Sequence, residues 1–228
     1  MRLLLDELGG RPPGDIPDLV DLYAPPRLPW LRANMVSTLD GAATGADGRS
    51  GSINNSVDKK VFETLRGRAD AVVVGAGTAR AEAYGEAGCP LVVVSRRGEV
   101  PAGLRSAAPG TVLLATCGSA PGLSTAVEAL GSENVVVAGD DDVDLGVVVT
   151  TLVDRGFREL LTEGGPRLLT DLLAAGLVDE LCLTTTPRLL GGELPRITKG
   201  AELDVRLRAG VLLEQAGTVL GRWLVERG

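Results

Sequence analysis

The sequence predicts an α/β fold with one mostly parallel central sheet, helices on both of its faces and an antiparallel hairpin at its C-terminal end. Short continuous apolar runs, such as residues 71–74 and 91–94, alternate with stretches of helical spacing, as in buried parallel strands joined by helices. Near the end of the chain, residues 203–215 and 218–226 alternate around Ala216-Gly217, a pattern typical of a hairpin.

The first 29 residues differ from the rest because they are rich in proline and have little periodicity. We expect an extended N-terminal arm over residues 1–29, with one helical turn at residues 18–23, followed by a single domain over residues 30–228. The six prolines of this arm are Pro12, Pro13, Pro17, Pro25, Pro26 and Pro29.

The domain is expected to alternate strands and helices along the chain. Ser56 is a suitable N-cap for the first long helix, and a short helix should follow Gly75-Ala76-Gly77-Thr78. Strands are expected at 31–38, 69–74, 91–94, 112–115, 135–138, 160–162 and 179–186, and the longer helices at 56–68, 121–130, 145–155 and 166–175.

Composition excludes several classes of function. The 228 residues carry a net charge of −7 without a basic run, and only 3% are aromatic, so nucleic acid and anionic membranes are not expected partners. No apolar run reaches the roughly 18–20 residues of a membrane span. The chain has no histidine, which removes the usual general base and the commonest zinc ligand.

The three cysteines point to core packing rather than to chemistry. Cys89, Cys117 and Cys182 are far apart and form no Cys-x-x-Cys pair, so we expect no metal site. An odd number of cysteines without a signal peptide also favours a reducing, cytoplasmic location.

A strand-to-helix connection at residues 160–169 is the first candidate site. Glu163 ends the strand, Gly164 and Gly165 allow close approach to the backbone, and Pro166 suits the first turn of a helix. The free N–H groups of that helix would attract a phosphate, beside the carboxylate. The alternative is an ordinary connection between two elements.

A second glycine turn follows the strand at residues 69–74. Gly75 and Gly77 begin a Gly-x-Gly-x-x-Gly pattern, but Arg80 occupies the third glycine position. Where this fingerprint usually has an acid, the chain has Ser95-Arg96-Arg97, which favours NADP(H) over NAD(H) if a dinucleotide binds. Both glycine turns should open on the same edge of the parallel sheet. Arg96 could instead belong to a solvated turn.

Hydroxyl groups and one arginine add weaker signals. Ser37-Thr38-Leu39-Asp40-Gly41 ends the first strand, and Ser50 and Ser52 lie in the loop that follows; such side chains bind sugar or phosphate, or simply solubilise a turn. Arg66, late in a helix, either complements the helix dipole or faces the cleft.

With these residues in view, the chain resembles the reductase domain of the bifunctional riboflavin-biosynthesis deaminase–reductase, which shares a fold with dihydrofolate reductase. The resemblance spans roughly residue 29 to the C-terminus. The matching motifs are Ser37–Gly41, Leu65-Arg66, Ala69–Thr78, Thr162–Pro166, Leu177–Leu181 and Pro187–Gly192.

The resemblance implies an NADPH-dependent reductase of a pyrimidine ribosyl phosphate of the 5-amino-6-ribosylaminouracil 5′-phosphate type, yielding its ribityl product. Hydride comes from the cofactor, so the protein orients the reactants and supplies a proton through water, Glu163 or Asp40. Substrate contacts are implied for Ser50, Arg66 and Glu163. Cofactor contacts are implied for Val36, Ser52, Gly75, Gly77, Thr78, Glu82, Ser95, Arg96, Gly164, Gly165, Pro166, Leu168 and Leu169.

Three departures from the family pattern leave alternatives open. The deaminase half is absent, so we expect a stand-alone reductase; Asn34 replaces a common lysine; and residues 82–89 lack the arginine usual in that segment. A dihydrofolate-type reductase and a non-catalytic NADPH-binding protein are the alternatives. Relatives pair as homodimers, and the apolar C-terminal hairpin could supply either a dimer surface or core.

Overall fold

The computed structural model describes residues 1–16, 18–85 and 88–227. Pro17 of the expected arm, and Glu86 and Ala87 of the altered segment, lie outside the described residues. The strands are β1 Arg2–Asp6, β2 Gly14–Asp15, β3 Trp30–Thr38, β4 Ala71–Gly75, β5 Leu91–Val94, β6 Val112–Thr116, β7 Val135–Val137, β8 Glu159–Thr162, β9 Glu180–Thr186, β10 Leu207–Gln215 and β11 Thr218–Val225. The α-helices are α1 Leu19–Leu22, α2 Ser56–Arg68, α3 Ala76–Ala81, α4 Leu123–Leu130, α5 Leu145–Asp154 and α6 Pro166–Ala174.

These strands form one sheet in the order β2-β1-β10-β11-β9-β3-β8-β4-β5-β6-β7. Every pairing from β9 to β7 in this order is parallel, and the pairings that join β9, β11, β10, β1 and β2 are antiparallel. The predicted α/β class, with a mostly parallel sheet and a C-terminal antiparallel hairpin, is therefore confirmed.

Helices cover both faces of the parallel part because successive strand residues point to opposite sides. On one face, Val72 and Val74 belong to the core cluster that includes side chains of α2, α3 and α4. On the other, Ala71 and Val73 belong to the cluster that includes α5 and α6. Continuous apolar runs such as Leu91–Val94 are buried from both sides in this way.

The N-terminal segment contributes more to the fold than its prolines suggest. The expected helical turn is present as α1, but residues 2–6 also form a strand, which pairs antiparallel with β10 from Arg2↔Glu214 to Asp6↔Val211. Leu3 and Tyr23 are buried in the main core. The sequence analysis did not predict that part of this extended segment pairs as a strand, and the division at residue 29 stays a prediction.

Two element ends differ from the prediction. The N-cap of α2 is Asn55, not Ser56, because the Asn55 side chain accepts hydrogen bonds from the N–H groups of Val57 at 2.9 Å and Asp58 at 3.1 Å. The first strand of the hairpin begins at Leu207 instead of residue 203. Among the described residues, no helix has the length and apolarity needed to cross a membrane.

Candidate active site

The two glycine turns meet at one edge of the sheet. Because β4 and β8 are neighbours and parallel, their carboxyl ends lie side by side. The Gly75 N–H donates to the carbonyl of Gly164 at 2.8 Å, and a Cβ built on Gly75 would lie 3.6 Å from the nitrogen of Gly165. The predicted placement of both turns on the same edge is confirmed.

Close packing explains why this corner needs glycine. Gly164 has a φ of +83°, a conformation that favours glycine. A Cβ on Gly165 would lie only 2.2 Å from Oγ1 of Thr78. Gly165 is the N-cap of α6 and Pro166 occupies its first turn, but no side chain caps this helix end. The backbone N–H groups at the start of α6 therefore have no side-chain acceptor.

A cavity of about 1070 Å³ opens at this edge. Met35 on β3 also contributes to its wall. Of the residues implied by the resemblance, those that line it are Ser50, Gly75, Gly77, Thr78, Glu82, Ser95, Arg96, Glu163, Gly165, Pro166 and Leu168. Those outside its lining are Val36, Asp40, Ser52, Arg66, Gly164 and Leu169.

Glu163 is the carboxylate of the cavity wall beside the glycine corner, and Arg66 binds it from outside the cavity lining. The last turn of α2 brings the Arg66 guanidinium to the carboxylate, with Nε 2.7 Å from Oε1 and Nη2 2.8 Å from Oε2. The Arg66 guanidinium also lies 4.4 Å from the ring centre of Phe62. This bidentate geometry fixes the orientation of the carboxylate. The hydrogen bond to Glu163 raises the pKa of Arg66, so the arginine stays charged.

Tyr84 completes this cluster and was not identified from the sequence. Its hydroxyl donates to Oε2 of Glu163, and its ring centre lies 5.4 Å from the Arg66 guanidinium. Burial, followed by the Glu163 charge, raises the pKa of Tyr84, so the phenol remains a neutral donor. The sequence contained one weak signal for this role, a single aromatic residue in the segment after α3, in a chain where aromatic residues make up 3%.

The far end of the cavity holds Ser95 and Arg96, at the end of β5. Ser95 is buried, and its hydroxyl accepts from the N–H of Glu99 at 3.1 Å, so it stabilises the turn. Arg96 pairs with Asp142 from the loop before α5, with Nε 2.7 Å from Oδ1. The hydrogen bond from Arg96 lowers the pKa of Asp142. Asp142 was not predicted to lie beside Arg96.

The loop after β3 closes one side of the cavity. The Ser50 N–H donates to Oε1 of Glu82 at 2.8 Å, which ties this loop to the end of α3. The hydroxyl of Ser52 contacts Asp47 and the carbonyl of Arg49, both at 2.8 Å, within the loop itself. Ser52 is thus placed to stabilise the loop and does not face the cavity.

Two expected cofactor contacts, Val36 and Leu169, lie elsewhere. Met35 lines the cavity in place of Val36, because neighbouring residues of β3 point to opposite sides. Asn34 is on the same side of β3 as Val36 and is not part of the lining. Leu169 is fully buried in the core below α6.

Asp40 holds a turn together and does not reach the cavity. Its carboxylate accepts from the hydroxyl of Thr38 and from the N–H groups of Leu190 at 2.9 Å and Gly191 at 2.7 Å. These hydrogen bonds, with that of Thr38 the largest influence, lower the pKa of Asp40 from 3.8 to about 2. The geometry does not support Asp40 as a proton donor to a bound substrate.

No metal centre is evident in residues 1–16, 18–85 and 88–227, where no group of three or more acidic or cysteine side chains could hold an ion. At the glycine corner the cavity presents an uncapped helix N-terminus and a carboxylate of fixed orientation.

Comparison with known proteins places these features in context. The sequence matches the family described as RibD C-terminal domain over residues 29–219. A protein of Methanothermobacter thermautotrophicus named 2,5-diamino-6-ribosylamino-4(3H)-pyrimidinone 5′-phosphate reductase is 32% identical over 190 residues, covering 77% of this chain and 86% of the relative. A protein of the same name from Archaeoglobus fulgidus is 27% identical over 190 residues, covering 75% and 87%.

A solved structure shares the architecture over most of both chains. It is a pyrimidine reductase-like protein from Corynebacterium diphtheriae, with a TM-score of 0.76 and 27% identity, covering 88% of this chain and 93% of its own.

Proposed function

Because this chain belongs to the RibD C-terminal domain family, we propose that it is an NADPH-dependent reductase of a pyrimidine ribosyl phosphate in riboflavin biosynthesis. The reaction adds a hydride to the sugar carbon and a proton from the medium, giving a ribityl chain. The observation that carries the proposal is the contact between the two glycine turns, with the Glu163 carboxylate on the wall of the same cavity.

The glycine corner and the start of α6 fit a dinucleotide. A Cβ on Gly165 would displace Thr78. Because glycine has no side chain at this position, a ligand can approach the backbone here closely. The backbone N–H groups of α6 would bind the pyrophosphate, and Thr78 would contact the cofactor beside it. When bound, NADPH supplies the hydride, and the residues of this chain orient it and exclude water.

Glu163 is assigned to orienting the pyrimidine. The Glu163 carboxylate accepts two hydrogen bonds from Arg66, one on each oxygen, and a third from Tyr84 on Oε2. A carboxylate can accept about four, so it can accept a further hydrogen bond from a ligand in the cavity. A carboxylate in a bidentate ion pair is an acceptor, so it would receive hydrogen bonds from the amino groups of the ring. We assign proton delivery to water, since Asp40 does not line the cavity.

The substrate itself has two close candidates. The resemblance implies a 5-amino-6-ribosylaminouracil 5′-phosphate, whereas the relatives from Methanothermobacter thermautotrophicus and Archaeoglobus fulgidus are named for the 2,5-diamino-pyrimidinone counterpart. The two differ at one ring position, an amino group against a carbonyl. An acceptor such as Glu163 would favour the amino form if it faces that position.

A homodimer and a cytoplasmic location complete the proposal. Val211, Leu213 and Leu220 of the C-terminal hairpin are buried within the chain, so they serve as core, while Val219 is 37% exposed. The partly exposed side of the hairpin is the surface we propose for pairing. The three cysteines are free, as expected of a protein from a reducing compartment.

Turnover of the two pyrimidine phosphates tests the function directly. The purified protein is incubated with NADPH and each pyrimidine ribosyl phosphate, with dihydrofolate as a third substrate, and the nicotinamide absorbance is followed. We expect oxidation of NADPH with a pyrimidine phosphate and none with dihydrofolate. NADPH binding without turnover of any of the three substrates would contradict the proposal.

Glu163→Gln provides the matched variant. Losing a charged hydrogen bond to the substrate should lower kcat/KM about 10- to 100-fold. Glu63→Gln is the control, because Glu63 is an exposed acid on α2 that pairs with Lys59, at 3.7 Å. This variant removes the same charge and should leave kcat/KM unchanged. Equal values for both variants would remove Glu163 from the substrate site.

A further inference from the structure

The end of the cavity beside β5 is occupied by a pair of opposite charges. Arg96 follows β5 and Asp142 belongs to the loop between β7 and α5, and both side chains line the cavity. The guanidinium presents Nε and Nη2 to the two carboxylate oxygens, the fork geometry typical of arginine with carboxylate or phosphate. The edge of the Arg96 guanidinium that would bind a phosphate is thus already bound to the Asp142 carboxylate.

Acids balance the other arginines of this end as well. Glu99 lies 3.7 Å from Arg80 and 3.3 Å from Arg97. Asp144 and Asp171 also line the cavity and add two further negative charges. The surface that would surround an adenosine ribose is therefore close to neutral, although its arginines alone would make it strongly positive.

We propose that Asp142 determines the choice between NADPH and NADH, by competing with the 2′-phosphate for Arg96 and by accepting a hydrogen bond from a 2′-hydroxyl. The inference rests on the proposed function and adds a specificity residue to it. At the ribose beyond a glycine turn, arginine suits a 2′-phosphate and an acid suits a 2′-hydroxyl. Here the fold brings both groups to one place.

Exposure of the pair makes such an exchange feasible. The Arg96 and Asp142 side chains are 69% and 62% exposed, and ion pairs this accessible to water are weak. A 2′-phosphate with two negative charges can displace the single carboxylate, but it must do so against the repulsion of Asp142. The preference for NADPH is therefore smaller than Arg96 alone would produce.

Asp142→Asn removes this repulsion while nearly preserving the shape of the side chain. We expect NADPH to bind about two- to fivefold more tightly, and NADH to bind no more tightly than before. Dissociation constants are measured with both reduced dinucleotides by calorimetry and nicotinamide fluorescence, without pyrimidine substrate. Asp142 also accepts from the N–H of Val143 at 2.8 Å, so thermal melting verifies folding, and Asp142→Ser repeats the test.

Asp141→Asn is the matched control, because it removes the same charge from the neighbouring, exposed residue of the same loop, outside the cavity lining. A shift of the dissociation-constant ratio toward NADPH in Asp142→Asn, absent in Asp141→Asn and abolished by Arg96→Ala, supports the inference. Equal ratios in all variants, or a shift toward NADH in Asp142→Asn, overturn it while leaving the reductase proposal intact. Failure of the wild-type protein to bind either dinucleotide overturns both.

Discussion

Single residues at the glycine corner show how a missing side chain shapes the surface proposed to bind the cofactor. Thr78 on α3 occupies the space that any side chain on Gly165 would need, and the Gly75 N–H closes the corner from β4. The backbone φ of Gly165 is −75°, which other residues readily adopt. Space, and not backbone strain, is therefore the reason for glycine at this position.

Gly165→Ala should consequently weaken cofactor binding without unfolding the protein. The new Cβ would lie 2.2 Å from Oγ1 of Thr78, so the threonine must turn away from its present position. We expect NADPH affinity to fall about tenfold or more, equivalent to ~1.4 kcal/mol. Calorimetric titration gives the affinity, and circular dichroism should be unchanged.

The Thr78→Ala background separates this mechanism from a general disturbance of the turn. If Gly165→Ala acts by displacing Thr78, the double variant should bind NADPH no more weakly than Thr78→Ala alone, because the clash is gone. Losses that simply add would show that the methyl group blocks the cofactor itself.

At the scale of elements, Asp40 joins two loops that follow neighbouring parallel strands. It lies just beyond β3, and its partners Leu190 and Gly191 lie beyond β9. Since its pKa is about 2 in the folded protein and near 3.8 otherwise, its contribution to stability is complete above about pH 4. That contribution is lost as the pH falls from there toward 2.

Asp40→Asn should therefore lower the Tm at pH 7, and the difference from wild type should narrow as the pH approaches 2. Thermal melts across this pH range measure the difference directly. Asp141→Asn, in an exposed loop, serves as the control and should leave the Tm at pH 7 unchanged. A Tm difference that is constant with pH would mean that the Asp40 carboxylate is not the responsible group.

Elements whose burial follows from local pattern were predictable from the sequence. The strand Leu91–Val94 was predicted with its observed bounds, because a continuous apolar run fits only a position covered on both faces. Strand β1 was missed because its regularity depends on pairing with β10, far away in the chain. The N-cap of α2 was predicted one residue too late because Asn55 and Ser56 are both good N-caps.

The same distinction applies to the candidate site. Gly75, Gly164 and Gly165 were identified because a turn is predicted from residues that are adjacent in the sequence. Tyr84 and Asp142 could not be identified in this way. Tyr84 is 79 residues from its partner Glu163, and Asp142 is 46 residues from Arg96. Only the order of strands in the sheet brings these loops together.

For the whole molecule, a buried charge cluster connects the N-terminal segment to the sheet. Glu180 on β9 accepts from Arg222 at 2.6 and 3.0 Å and from Arg32 at 3.3 Å. These arginines in turn donate to backbone carbonyls of residues 22–24. Burial alone would raise the pKa of Glu180, but Arg32 and Arg222 lower it to about 2. The cluster thus remains charged throughout the physiological range.

Glu180→Gln should therefore destabilise the entire fold, because it leaves the buried Arg222 without its acidic partner and Arg32 with Glu159 alone, at 3.2 Å. Removing one partner of a buried ion pair typically costs about 3–5 kcal/mol in the free energy of unfolding. Urea denaturation measures this cost, and limited proteolysis should show earlier cleavage near residues 22–24 as their carbonyl contacts loosen. Glu214→Gln is the control, because its pair with Arg2 on β1 is 3.4 Å long and partly exposed, and should cost less than about 1 kcal/mol. Similar losses in the two variants would mean that the N-terminal segment is held by apolar packing of Leu3 and Tyr23, and that the buried charges contribute little to its attachment.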